Sequence, residues 1–342
     1  MHKRIIALLT LLLMLTVSLA ESLPYAEDTV LTAHTVSAAE QALRDYLYPR
    51  LLAQEEDIDL PDSTSFDLLS QTMNDLTRSY PELFAVDVTY AVLYERTAPD
   101  IATGVRPQYR CTLSEAQSLR TQLLETAQAW LCITADPVGL HDLLISRISY
   151  ADNTAWCATA VGALLYGQAN CEGYAQALTL LYRLAGIPCG LVDGQATSSD
   201  GITDAHAWNL ADINGYCLID ACWDDLGDLA AHWYFALSAD DMAADHQPDV
   251  SCILPDTSDA VGYYVSHGLT ASTRTELDTF LARLLNGETI EIALSETLYT
   301  QCTADLNQVL TAYLEQTNAS VSFSYSMYAF DLRQVILVIP AE

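Results

Sequence analysis

The stretch that most constrains this chain runs from Gly167 to Asp225, because the period of its hydrophobic pattern changes there. Cys171 to Leu184 has helical spacing, opened by Asn170, a strong helix cap, and stopped by Gly186 and then Pro188. Beyond that stop the period falls to two. Cys189 to Gln195, His206 to Asp212 and Tyr216 to Asp220 read as strands, the last two joined by the turn Ile213-Asn214-Gly215. Helices followed by an antiparallel sheet make an α+β arrangement.

The same stretch carries chemistry. A thiol attacks carbonyls only as the thiolate, which needs positive potential nearby, and the unpaired N–H groups at a helix start supply it. Cys171 opens the helix that Asn170 caps, so its sulfur lies beside those groups, which can also stabilise an oxyanion. His206, at the start of the second strand, can reach that sulfur and act first as base and then as acid. Asp220, one strand over, can hold the imidazole in the required tautomer.

Three further helices are expected just upstream. Leu113 to Leu131 opens after Thr112 with Leu119, Leu123, Ala127 and Trp130 as its buried stripe; Leu140 to Ile148 carries His141; Trp156 to Tyr166 is short and apolar. Both ends of the chain read as helix, strand, helix, strand, strand. In the first, a helix with Leu43, Tyr46 and Leu47 is interrupted at Pro49, and Asp57 to Leu60 alternates as a strand. A turn and cap at Pro61 to Thr64 then precede a helix with Phe66, Leu69, Met73 and Leu76, and strands follow at Phe84 to Val92 and Val105 to Cys111. In the second, a helix with Leu277, Phe280, Leu281 and Leu284 leads through Asn286-Gly287 into Thr289 to Leu294. A helix with Cys302, Leu306, Val309, Leu310 and Tyr313 comes next, then strands at Ser320 to Tyr325 and Gln334 to Ile339. The expected division is a signal segment at 1–20, an N-terminal α/β module at 21–112, a catalytic domain at 113–250 and a C-terminal α/β module at 251–342.

Composition narrows the setting. With 342 residues, 51% of them hydrophobic, the chain can bury one to three cores and is not a disordered protein. His2, Lys3 and Arg4 precede an apolar run from Ile5 to Ala20 that ends in the small-residue site Ser18-Leu19-Ala20, the pattern of a cleaved secretory signal. No cysteine follows at lipobox spacing and no second long apolar segment exists, so the mature chain is expected outside the cell with no membrane span. Losing Lys3 and Arg4 with that segment would move the formal charge from −31 to −33. Such a field repels nucleic acid and anionic lipid and favours basic or neutral partners. Lys3 is the only lysine. The nine cysteines, 111, 132, 157, 171, 189, 217, 222, 252 and 302, allow four disulfides and one free thiol in an oxidising setting, or buried reduced thiols where they sit in apolar runs, as at Cys132, Cys189 and Cys217.

Gly167 to Gly194, His206-Ala207-Trp208-Asn209 and Asp220 to Asp225 together resemble the core of the transglutaminase-like superfamily in its secreted bacterial branch. The likeness extends through His232-Trp233-Tyr234-Phe235 and Ser238 to His246. It implies a papain-like fold in which Cys171 is the nucleophile, His206 the general base and acid, and Asp220 the orienting carboxylate. The reaction it implies is attack on a peptide or glutamine-amide carbonyl, with the thioester then passed to an amine or to water. A peptide or protein substrate, at the cell surface or free, is the expected partner. Ala221-Cys222 departs from the proline and threonine usual before the tryptophan of Trp223-Asp224-Asp225.

The same fold can also serve as an inactive secreted scaffold, in which case Cys171 should be unreactive or locked in a disulfide. Gln168 is a candidate oxyanion donor or a loop residue, and Trp208 a packing residue. His141 and His246 read as structural or exposed, and Asp224, Asp225, Asp228, Asp240, Asp241 and Asp245 as solvated acid. No metal or cofactor is expected, for want of an EF-hand pattern or a close Cys-x-x-Cys pair. Asn318-Ala319-Ser320 is a glycosylation acceptor in a host that uses it.

Overall fold

The computed structural model describes residues 23–227, 229–317 and 324–341. The expected signal segment, Asp228, the acceptor at 318–320 and most of the strand expected from Ser320 lie outside the described residues. Within them no helix is long and apolar enough to cross a membrane.

The first unit comprises α1 (Ala38–Leu52), β1 (Ile58–Asp59), α2 (Phe66–Ser79), β2 (Val86–Glu95) and β3 (Ala98–Tyr109), with sheet order β1-β3-β2. Helix α1 does not stop at Pro49 but carries it inside. An internal proline costs about 3 kcal/mol. Here it is outweighed by the buried row Leu47, Tyr48, Leu51 and Leu52, which packs against Leu69, Met73 and Leu76 of α2. Ser65, one residue beyond the expected turn, caps α2 by accepting from the Leu68 N–H. The hairpin β2–β3 runs further toward its tip than the apolar alternation showed, because its outer residues pair through the backbone while their side chains face solvent.

The central part begins with α3 (Leu113–Leu131), opened by a reciprocal cap between Thr112 and Glu115. It continues with α4 (Pro137–Ile145), β4 (Ser149–Tyr150), α5 (Ala160–Tyr166), β5 (Gln168–Ala169), α6 (Cys171–Leu184), β6 (Cys189–Thr197), β7 (Thr203–Asp212) and β8 (Tyr216–Ile219). Helix α4 lies three residues earlier than expected and α5 is four residues shorter, each starting where a side chain caps it: Asp136 accepts from Gly139 and Thr159 from Gly162. A short helix α7 (Ala239–Met242) and β9 (His246–Pro248) follow, giving an antiparallel sheet of order β8-β7-β6-β9. Period two sorts its side chains. Cys189, Ala211, Cys217 and Ile219 face α6, whereas Val192, Trp208, Leu210 and Leu218 face Tyr234 and Met242 on the other side.

The last unit holds α8 (Tyr263–Ser266), β10 (Thr270–Ala271), α9 (Arg274–Leu285), β11 (Ile290–Leu294), α10 (Glu296–Thr317), β12 (Tyr325–Phe330) and β13 (Val335–Pro340), in sheet order β10-β11-β13-β12. Helix α10 is kinked at Asp305, whose side chain accepts from the Gln308 N–H and so caps the second half. In both flanking sheets the last strand lies between the two before it, β1-β3-β2 at one end and β11-β13-β12 at the other. All nine cysteines are free thiols. Cys157, Cys189, Cys217 and Cys302 are buried, while Cys132, in spite of its apolar neighbours, is exposed.

Helix α6 is the axis of the central core, and it is stitched to the N-terminal unit through a buried polar cluster. Arg183 donates to the Cys189 carbonyl at 2.8 Å, to the Tyr25 hydroxyl at 3.1 Å and to the Ser79 carbonyl. Tyr25 and Tyr48 in turn donate to the buried carboxylate of Glu82. At its other end α6 approaches the chain so closely that a side chain on Gly173 would stand 2.1 Å from the Cys157 carbonyl. Gly173→Ala should therefore lower unfolding stability by about 1–3 kcal/mol, read as a reduced urea midpoint.

Candidate active site

Cys171 is the first residue of α6. Asn170 before it has extended backbone, and its side chain accepts from the Gly173 N–H at 3.1 Å. This fixes the helix start, so the half-buried sulfur lies where the peptide dipoles place positive potential. The Asn170 N–H is itself held by the Cys157 carbonyl at 2.9 Å. That contact is why Gly173 is needed three residues on.

The sheet brings in the other two residues. His206 lies inside β7, opposite Gly194 of β6, rather than at the strand's start as its neighbours suggested; Thr203 to Ala205 pair with β6 although their side chains are exposed. Asn209, three residues further on and so on the opposite face of the strand, donates to the Ala175 carbonyl and the Thr179 hydroxyl of α6, both at 2.9 Å. It locks strand to helix and thereby sets His206 against Cys171. Asp220 directly follows β8, whose register with β7 places Ile219 opposite Asn209.

His206 Nε2 is 2.6 Å from Asp220 Oδ2, leaving Nδ1 for the thiol side. The other Asp220 oxygen accepts from the N–H groups of Cys222 at 3.0 Å and Trp223 at 3.2 Å. These are main-chain donors, so the unusual Ala221-Cys222 pair leaves them intact. A second histidine, His246, also approaches Asp220 Oδ2, at 3.1 Å, while its Nδ1 lies 2.6 Å from Asp245. Of the two expected alternatives, structural or exposed, His246 and His141 take the first: both are buried. Asp224 is also buried, with His141 at 3.2 Å, and Asp245 is largely covered and accepts from Tyr234; only part of the acidic set is solvated. Apart from the adjacent His246 and Asp245, short-range sequence patterns showed no signal for these pairings, since the partners are between 11 and 83 residues apart.

The electrostatics are consistent. Burial alone would lower the His206 pKa, but the Asp220 charge, its hydrogen bond and the hydrogen bond and charge of Cys171 raise it to about 10. Burial opposes the charge on Asp220 too, yet His206 and His246 hold its carboxyl well below the usual range. Trp208 and Trp223 cover the imidazole at ring distances of 6.1 and 5.3 Å.

Cys171 and His206 open together onto a cleft of about 460 Å³. Its walls include Asn74 and Arg78 of α2, along with Glu172, Asp193 and Asp249. Arg78 pairs with Asp193 and stands 4.0 Å from Glu172, so the N-terminal unit supplies the one arginine of the cleft wall among the described residues. Gln168 is exposed on β5 and does not line the cleft.

Residues 134–221 match the family model of the transglutaminase-like superfamily, a span that includes Cys171, His206 and Asp220. Over these residues the central part of the chain, of mixed helix and sheet, is thus similar to the transglutaminase-like core. The chain is similar to the crystal structure of a "Putative Cysteine Protease from Cytophaga hutchinsonii", at 14% identity and a TM-score of 0.22, over 26% of this chain and 31% of that one. It thus spans about a third of that protein's length. Among curated proteins no match is found.

His206 is charged in the folded chain up to about pH 10 and in the unfolded chain only up to about 6.5. Its stabilising contribution is complete below about pH 6.5 and is lost as pH rises through about 10. Urea unfolding of the wild type should therefore lose at least about 2 kcal/mol more between pH 7 and pH 10.5 than does His206→Gln.

Proposed function

We propose that this transglutaminase-like chain is a cysteine enzyme acting on peptide or glutamine-amide carbonyls through a thioester on Cys171. The observation that carries the reading is one arrangement. A free thiol at a capped helix start shares a cleft with an imidazole whose far nitrogen is held, at 2.6 Å, by a buried carboxylate.

In the proposed cycle the Cys171 sulfur, its proton taken by His206, adds to the substrate carbonyl. The oxyanion is met by the N–H groups of the helix start that Asn170 leaves unoccupied. Collapse breaks the C–N bond, and His206 returns the proton to the departing ammonia or amine, leaving the thioester. An incoming primary amine or water then gives up a proton to His206, attacks the thioester and releases the thiol. Asp220 keeps the imidazole oriented and offsets its charge in both halves. Glu172, Asp193 and Asp249 against the single Arg78 make the cleft net acidic, which suits a cationic acceptor such as a lysine side chain. A chain whose only lysine is Lys3 would not consume itself as an acceptor.

The reading includes a secretory signal at 1–20, export of the mature chain, a catalytic domain at 113–250 and flanking α/β modules at 21–112 and 251–342 that border or present the substrate. Arg78 supports a substrate-facing role for the first of these.

A glutamine peptide incubated with the mature protein, with and without a tagged primary amine, and read by mass should yield the amine adduct, the deamidated peptide or cleaved chain. Cys171→Ala should abolish turnover, and Asp220→Asn should lower kcat by roughly 10,000-fold. Native Cys171 should be alkylated by iodoacetamide faster than Cys132, the exposed thiol that serves as internal control. If Cys171 resists while Cys132 reacts, the enzyme reading fails.

A further inference from the structure

A second group of histidines and carboxylates lies behind the first, where the central part meets the C-terminal sheet. His141 on α4 and His232 in the segment after β8 both point a nitrogen at one oxygen. His141 Nδ1 and His232 Nε2 each stand 3.0 Å from Asp142 Oδ1. The far nitrogen of each ring is backed by a further carboxylate: His141 Nε2 lies 3.2 Å from Asp224, and His232 Nδ1 lies 2.7 Å from Glu291 of β11. Packing fixes both rings. Tyr263 stacks on His232 at 3.8 Å with 7° between planes, and Phe235 meets His141 edge-on at 5.0 Å.

We propose that His141, Asp142 and His232 bind one divalent transition-metal ion, zinc before others. Nothing in this rests on the thiol chemistry proposed above. A histidine that donates its far N–H to a carboxylate turns its lone pair inward, and that outer partner is the support metal-bound histidines have. Two inward lone pairs facing a carboxylate oxygen repel it unless a cation stands between them or both rings carry a second proton. The two rings are only 5.5 Å apart, so the second solution sets two positive charges side by side, offset by Asp142, Asp224 and Glu291. One ion satisfies all three groups. Tetrahedral ligands about 2 Å from zinc stand roughly 3.3 Å apart, close to the 3.0 Å separations seen here. Two imidazoles and a carboxylate suit zinc and its neighbours rather than calcium or magnesium, which take oxygen ligands. The Asp142 side chain is 42% exposed, so the fourth position opens to solvent.

His206, Asp220 and His246 form a group of similar shape with no such opening. Asp220 is 1% exposed, its second oxygen is taken by two backbone N–H groups, and the other face of His206 belongs to Cys171. In the second group the outer carboxylates fix the consequence of binding. Glu291 also accepts the His232 backbone N–H at 3.0 Å and the Tyr264 hydroxyl at 2.7 Å, so the ion would fasten the C-terminal sheet to the central part. Asp224 belongs to the turn of Asp220, its N–H donating to the Asp220 carbonyl at 3.1 Å.

The test uses the full mature chain carrying Cys171→Ala, which removes the cleft thiol as a competing ligand. After stripping with a chelator, zinc chloride is titrated by calorimetry and bound metal is counted, with cobalt(II) as a spectroscopic probe of nitrogen and oxygen ligation. One equivalent should bind, raise Tm and give a cobalt spectrum lacking thiolate charge transfer. Asp142→Ala, at a half-exposed helical position, should keep the fold by circular dichroism while weakening binding at least tenfold and abolishing the Tm rise. His232→Gln should do the same, and Asp142→Ala carries the test if that variant does not fold. Absence of stoichiometric zinc binding overturns the proposal, and so does binding that Asp142→Ala leaves unchanged or that shows thiolate ligation.

Discussion

The buried carboxylate of Asp220 is the interaction on which the site depends. An ionised carboxylate out of water costs several kcal/mol unless its lone pairs are filled, and here four donors reach it: two main-chain N–H groups and two histidines. Each donor imposes a constraint on the chain. The N–H groups require the tight turn after β8, His206 requires the register of β7 against β8, and His246 requires β9 to pair on the far edge beside β6. Sheet order is thus tied to one carboxylate. The charge that results is what holds an imidazolium beside Cys171.

The thiol depends on a different set of contacts. Its position comes from a helix start, and a helix start is only as well placed as the helix. Asn209 ties α6 to the sheet, Arg183 ties it to Tyr25, Ser79 and the strand at Cys189, and Gly173 lets it press on the Cys157 carbonyl. The same packing explains why the N-terminal unit reaches the cleft. Helix α2 contributes both Ser79, which Arg183 holds, and Arg78, which faces Asp193 beside Cys171. A contact that stabilises the junction therefore also sets the charge of the cleft wall.

Much of the central architecture was legible because it rests on local rules. Asn170 as a cap, Gly186 and Pro188 as a stop, and period-two alternation along Cys189, Val192, Trp208, Leu210 and Ile219 each act within a few residues. Where the reading fell short, the deciding force was not local. Pro49 sits inside α1 because the helix buries a row against α2, and β7 begins three residues early because backbone pairing needs no apolar side chain. Cys132 lies in an apolar run yet is exposed, since it falls just past the end of α3, where no second element covers it.

The sequence by itself determined the helix that begins at Cys171, the strands that carry His206 and lead to Asp220, and the order in which they follow. Those depend on capping, turn chemistry and hydrophobic period, which neighbouring residues encode. Only the tertiary structure decided that His246 shares Asp220 and that Arg78 borders the cleft. It alone placed His141, Asp142, Asp224, His232 and Glu291 in one cluster. These residues come from segments as far apart as 150 positions in the chain, and what joins them is the requirement that buried charge be paired, which no local pattern records.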